Sequence, residues 1–162
     1  MTNRDDFISA MRTVAHSVTL VTTDGPAGLH GATVSAFCSV SADPPMVLVC
    51  LNEGSEIFRT VSENKTYSVT VLPENAQHLA DRFAGRHDNE IDSRFDGLDV
   101  VDAVPQIEGA TVFNCEIENS IPAGSHHVIL GRVVSCSRGE HNPLNYFDGN
   151  YHWLSKFTQA AE

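Results

Sequence analysis

Cationic residues are scarce in this 162-residue chain: Lys and Arg number 10 against 21 Asp and Glu, a formal net charge of −11 with histidine neutral. Nucleic acid and anionic membrane surfaces need clustered cations, so neither is expected as the main partner. Long apolar runs are missing too. No stretch approaches the roughly 20 apolar residues that span a bilayer, and the opening Met-Thr-Asn-Arg-Asp-Asp has no basic segment leading into an apolar one. A cytoplasmic protein is expected. Cysteine is sparse and poorly spaced for chelation. Cys38, Cys50, Cys115 and Cys136 contain no C-x-x-C pair, and each lies in an apolar or β-branched run, so buried free thiols are expected rather than disulfides or a zinc site. The histidines lack H-E-x-x-H or comparable ligand spacing, which argues against a catalytic metal. No G-x-S-x-G elbow, Walker loop or G-x-G-x-x-G fingerprint occurs, which argues against the α/β-hydrolase, P-loop and Rossmann classes.

What is present is ordinary globular composition, 41% hydrophobic and 19% charged, in a length that suits one domain over 1–162. Phe7, Ile8, Met11 and Val14 recur at helical spacing behind a possible Asn3 cap, with Asp6 in the first turn. Val18–Thr23 is almost wholly β-branched and ends at Asp24-Gly25-Pro26, so strand then turn is predicted. A Gly-, Ala- and Ser-rich strand over His30–Val40, the breaker Ala42-Asp43-Pro44-Pro45 and an apolar strand over Met46–Leu51 follow. Ser55–Asn64 carries Ile57, Phe58 and Val61 at helical spacing, with Ser55 or Asn52 as cap. Tyr67–Leu72 reads as strand. Pro73 is expected to begin a second helix that carries Leu79, Ala80 and Phe83 toward Gly85. From Gly85 to Pro105 the chain is polar and acidic, a long loop that Phe95 and Leu98 would pin to the core. Thr111–Ile121 and His127–Cys136 read as a long hairpin about Pro122-Ala123-Gly124-Ser125, and Asn150–Leu154 as a last short strand. The prediction is a mainly β protein, an antiparallel closed or split barrel with a few short helices.

Four segments carry candidate chemistry. Gly31-Ala32-Thr33-Val34-Ser35, with Ser39 and Ser41, concentrates small and hydroxyl side chains on a strand. That leaves backbone N–H groups open to a flat heteroaromatic ring or a phosphate, or serves close barrel packing instead. Cys50-Leu51-Asn52 with Ser55 puts a strand end against a helix N-terminus, suited to an anion or to plain capping. Arg82-Phe83-Ala84-Gly85-Arg86 offers two guanidiniums and a glycine turn, for a phosphate or to complement the helix dipole. In Gly124-Ser125-His126-His127 the adjacent imidazoles must point to opposite faces of a strand, a poor chelate in which one ring can face a pocket.

In order and spacing these segments resemble a family, the short-chain flavin reductases of two-component flavin-dependent monooxygenases, which share the FMN-binding split barrel. The similar residues are Val14-Ala15 with Val18–Thr23, Gly31–Phe37, Ser39-Val40-Ser41, Asp43–Leu48 and Cys50-Leu51-Asn52. Leu79-Ala80, Phe83-Ala84-Gly85, Gly124-Ser125-His126, Gly131-Arg132-Val133, Pro143-Leu144, Tyr146, Gly149 and Tyr151 continue the match over nearly the whole chain.

The resemblance implies a homodimer that reduces FMN or FAD with NADH or NADPH and supplies reduced flavin to a separate monooxygenase. It implies that Gly31–Ala36, Ser39 and Ser41 line the ring and ribityl chain. Cys50, Leu51, Asn52, Ser55, Phe83, Ala84, Gly85 and Arg86 would hold the phosphate end, with Tyr151 also near the cofactor. His126 would lie against the nicotinamide. Ser125 departs from the family, which usually has Asp there; Ser offers the imidazole only a neutral hydrogen bond. A flavin-binding module of the same fold that no longer reduces is the alternative, and a split-barrel oxidase or pyridoxamine-phosphate-type enzyme a third. Several of the acids cluster between Asp88 and Asp102, away from the proposed pocket in sequence.

Overall fold

The computed structural model describes residues 3–155. In chain order its elements are α1 (Arg4–Met11), β1 (His16–Ser17), β2 (Thr19–Thr23), β3 (His30–Val34), β4 (Phe37–Ala42), β5 (Pro45–Asn52), α2 (Glu56–Asn64), β6 (Thr66–Val71), α3 (Gln77–Phe83), β7 (Val100–Val101), β8 (Val104–Pro105), β9 (Thr111–Ala123), β10 (His126–Ser137), β11 (Asn145–Phe147) and β12 (Asn150–His152). Seven strands form one antiparallel sheet in the order β3-β2-β6-β9-β10-β5-β4. The sheet curls without closing. β3 and β4 are its two free edges, joined only by Ser35-Ala36, and this opening is the split of a split barrel.

The strand expected over His30–Val40 is therefore two strands. Its break at Ser35-Ala36 carries the chain from one edge of the sheet to the other, where the Cys50 amide donates to the Ala36 carbonyl at 3.0 Å. The small residues that look like one strand in sequence mark this crossing. β-branched and apolar content gives β2, β5 and β6 their strand character, and alternation sorts their faces. Val21, Val47, Val49, Leu51, Val69 and Ile129 point inward and are capped by Ile57 and Val61 of α2. Leu20 and Val18 face the other way, onto Leu72, Leu79, Ala80 and Phe83. Because α2 and α3 cover opposite faces of β2, all five of its residues are buried.

The helix signals hold in their chemistry. The Asn3 side chain accepts from the Asp6 amide at 2.8 Å and caps α1, and Ser55 caps α2. None of α1 is buried; Phe7, Ile8 and Met11 line an open groove with Tyr146 and Phe147. Phe95 and Leu98 do pack on the outer cluster, and β7 and β8 form a small hairpin inside the long loop. The β9–β10 turn is tighter than expected, with Gly124 at φ +63° and only Gly124-Ser125 between the strands.

All four cysteines are free, but only Cys115 is buried; Cys50 is half-buried and Cys38 and Cys136 are exposed. Local apolar context cannot tell the inward face of a strand from its outward face, which is why burial of all four was expected.

Candidate active site

Register decides which side chains meet. β5 pairs with β10 so that Asn52 lies opposite His126, Leu51 opposite His127 and Cys50 opposite Val128. Leu51 is buried in the barrel, so His127 shares its side, where its ring packs on Phe58 with centroids 4.3 Å apart and bonds the Ser120 hydroxyl. His126 then faces outward with Asn52 and Cys50. The expectation of two histidines on opposite faces holds.

Ser125 Oγ lies 3.0 Å from His126 Nδ1, so the hydroxyl supplies the neutral contact anticipated for it. The Glu53 amide donates to the Ser125 carbonyl at 3.0 Å, tying the β9–β10 turn to the β5–α2 turn. Within that second turn Asn52 Oδ1 accepts from the Gly54 amide, and Ser55 Oγ donates to the Asn52 carbonyl at 2.6 Å while accepting from the Phe58 amide. Asn52 and Ser55 are thus committed to local structure through one atom each. Burial and the nearby Cys38 thiol push the Cys50 thiol up, so it is protonated at neutral pH.

The second group lies along β3. Thr33 Oγ1 donates to the Ala80 carbonyl of α3 at 2.7 Å. Gly31 abuts the Phe83 ring so closely that a Cβ there would sit 2.8 Å from it. Ala32 and Val34 point instead into the barrel core. Gly85, at φ +81°, turns the chain out of α3 in a conformation that favours glycine. Ser35 and Ala36 are exposed at the split. Ser39 and Ser41 do not form one lining, because a bulge between them pairs Ser39 with inward Val47 and Ser41 with outward Met46; Ser41 Oγ also accepts from the Asp43 amide. The bulge re-aims the strand, which the S-x-S spacing does not reveal.

Three side chains of this region carry bonds within the protein. Arg86 is paired with Asp81 at 2.8 Å, Tyr151 donates to the same Asp81 at 2.8 Å, and Arg82 donates to the Asp96 carbonyl. Asp81 is only 18% exposed, and it joins Tyr151 and Arg86 along α3. Burial and the Asp81 contact push the Tyr151 hydroxyl up to about 12, which keeps it a donor. The acidic loop, separate in sequence, returns in space. It folds back so that Asp88 and Arg94 pack against Gly31 and Gly85. His30 and Glu56 join them around a recess of about 310 Å³, where burial holds the His30 imidazole below its ordinary value. Arg94 is the lone cation between His87 and His127; that isolation among acids was the available signal for its role.

His126 and Asn52 are thus register partners on the outward face, the Ser35-Ala36 crossing is bonded to the same strand β5 at Cys50, and β3 packs through Gly31 and Thr33 on Phe83 and Ala80 of α3. These groups are distinct from the larger concavity, about 640 Å³, between β6, β9 and the β7–β8 turn. Edge strands β3 and β4 leave backbone N–H and C=O groups without ladder partners. Small and hydroxyl side chains beside them suit a planar ring bearing carbonyl and amide edges, so the donor set fits a flavin. Among the described residues no group of His, Cys, Asp and Glu could hold a metal ion.

Comparison with known proteins agrees in extent and in shape. Residues 11–155 match the family described as flavin reductase like domain. The chain is 37% identical over 161 residues to FMN reductase (NADH) RutF of Cronobacter sakazakii, covering 96% of both chains. It is 36% identical over 157 residues to the protein of that name from Stutzerimonas stutzeri, covering 94% of this chain and 89% of the other. Among solved structures it is similar to flavin reductase PheA2, with a TM-score of 0.85, 31% identity, and coverage of 96% of this chain and 100% of that one. It is also similar to BorF, the flavin reductase component of a bacterial two-component tryptophan halogenase, with a TM-score of 0.84, 28% identity and coverage of 96% and 100%. This chain, with its curled seven-stranded sheet and its open surface of small residues, belongs to the flavin reductase-like domain family.

Proposed function

We propose that the protein reduces FMN with NADH and releases reduced flavin to a separate flavin-dependent monooxygenase. The observation that carries this is the meeting of His126 and Asn52 on one outward surface beside the Ser35-Ala36 crossing. Residues assigned to nicotinamide and to flavin, 74 positions or more apart in the sequence, thereby share one site. The relatives named FMN reductase (NADH) support FMN and NADH over FAD and NADPH. The same reading takes the protein to be a cytoplasmic homodimer. Met46, Leu48, Val128 and Leu130 form a half-buried apolar outer face next to the site, with Val40 47% exposed beside it, which a second copy would cover.

Bound flavin supplies the redox chemistry, accepting a hydride from reduced nicotinamide. The chain positions the partners. Unladdered backbone groups of β3, the Ser35-Ala36 crossing and β4 hold the ring, and the amides about Asn52–Ser55 and the Phe83-Ala84-Gly85 turn hold the phosphate end. The Ser125 hydroxyl fixes the His126 ring against the nicotinamide. Donors at the ring's pyrimidine edge favour the negative charge that reduction brings. No nucleophile or acid–base dyad is needed. His126→Ala should raise the KM for NADH about 10-fold or more while the FMN affinity stays within about twofold. Steady-state oxidation of NADH and NADPH against FMN, FAD and riboflavin tests the whole reading; flavin binding without turnover would favour the non-reducing module that the neutral Ser125 allows.

A further inference from the structure

Arg94 makes four hydrogen bonds inside the protein. Nε and Nη2 donate to the two carboxylate oxygens of Asp88 at 2.9 and 2.5 Å, and Nη1 donates to the carbonyls of Gly31 at 3.0 Å and Phe83 at 3.1 Å. The two carbonyls belong to different elements. Gly31 lies on the free edge strand β3. Phe83 ends α3, where a carbonyl has no helical partner and a cation is favoured. The side chain is 22% exposed, and Asp88 returns its charge with fork-to-fork geometry. The next residue, Phe95, packs edge-on against Phe83 with centroids 5.0 Å apart. Both glycines touch this group: a Cβ on Gly31 would meet Phe83 and Phe95, and one on Gly85 would sit 2.9 Å from Arg94 Nη2 and 3.0 Å from Asp88 Oδ2.

We infer that Arg94, oriented by Asp88, is a positioning residue that fixes the gap between β3 and the Phe83-Ala84-Gly85 turn and so sets flavin affinity. The inference rests on the reading of those two segments as flavin-binding. Its content is that the guanidinium acts through Gly31 and Phe83 and does not bind the phosphate itself, since four of its five N–H donors, both of those on Nη1 among them, are already committed to the protein. A lysine offers one ammonium and cannot span a carboxylate and two carbonyls together, so charge alone does not restore the clamp.

The test titrates the full-length protein with FMN and with riboflavin, read by flavin fluorescence at a temperature where circular dichroism shows every variant folded. Arg94→Gln and Arg94→Lys should each weaken both flavins about 10-fold, because a displaced wall affects ring and phosphate alike. Asp88→Asn should weaken both about threefold, and kcat with NADH at saturating FMN should stay within about twofold for all three. Loss confined to FMN, or tighter FMN binding by Asp88→Asn, would make Arg94 a direct phosphate ligand and overturn the clamp. Lowered Tm with unchanged affinities would also overturn it, leaving a purely structural residue. If Arg94→Gln does not fold, Asp88→Asn decides, since its side chain is half exposed and both carbonyl bonds of Arg94 remain. Ser35→Trp, at the exposed crossing, serves as the site control. Wild-type protein that binds neither flavin overturns the reading of the site, whereas binding that Ser35→Trp weakens but the Arg94 and Asp88 variants do not overturns only the clamp.

Discussion

At the scale of the residue, side-chain chemistry was legible where it acts locally and opaque where it acts across the fold. Asn3, Ser55 and Ser125 each bond within three positions of themselves, and their roles could be anticipated from spacing. Arg86 and Arg94 could not be sorted in this way. Both are arginines near a glycine turn, yet Arg86 is held by Asp81 and Arg94 by Asp88, Gly31 and Phe83. The Arg94 hydrogen bond holds the Asp88 carboxyl below the usual carboxylate range, with the nearby charges of Arg94 and His30 adding to it. A group whose pKa is lower folded than unfolded stabilises the fold above its unfolded pKa and loses that contribution as pH falls through the folded value. The stability difference between wild type and Asp88→Asn, followed by urea denaturation, should therefore be present at neutral pH and shrink below about pH 4. A difference that grew on acidification would contradict the pairing.

At the scale of the element, alternation and capping placed most strands and the helices α1 and α2, because both depend on neighbours in sequence; α3 starts at Gln77 rather than Pro73, behind Ala76, which makes no side-chain cap bond. Ser55 Oγ accepts from the Phe58 amide and donates to the Asn52 carbonyl, so it caps α2 and braces the turn that faces Ser125. Ser55→Ala should lower the unfolding free energy by about 1 kcal/mol, measured in urea, the usual cost of losing such a cap. Several element-level features escaped. The break at Ser35-Ala36 and the bulge at Val40 are changes of direction, and small residues permit such changes without announcing them. The β7–β8 hairpin was hidden for a different reason: strands of two residues carry no period to read.

At the scale of the whole molecule, net charge misdirected the reading of the site and then explained part of it. Taken alone, a formal charge of −11 disfavours a phosphorylated flavin and a dinucleotide. Yet two of the acids near the proposed site are neutralised in pairs, Asp88 by Arg94 and Asp81 by Arg86. The remaining field is long-ranged and repels both ligands weakly, so salt should screen repulsion rather than attraction. The second-order rate of NADH oxidation with FMN is expected to hold steady or rise by up to about threefold between about 10 and 150 mM salt. A several-fold fall, seen by stopped-flow, would reveal attractive steering that this charge distribution does not provide.

The sequence by itself determined the class of fold, the capped helices, the opposite faces of His126 and His127 and, through ordered motifs, the family. All of these follow from periodicity, local hydrogen bonding or residue order, which are carried along the chain. Only the tertiary structure decided which face each cysteine takes, that Ser39 and Ser41 diverge, that Tyr151 and Arg86 serve Asp81, and that the acidic loop returns to grip Gly31 and Phe83 through Arg94. Those outcomes depend on register and on contacts between distant segments. A one-residue change of pairing reverses every face of a strand, and no local pattern records which pairing the curled sheet adopts.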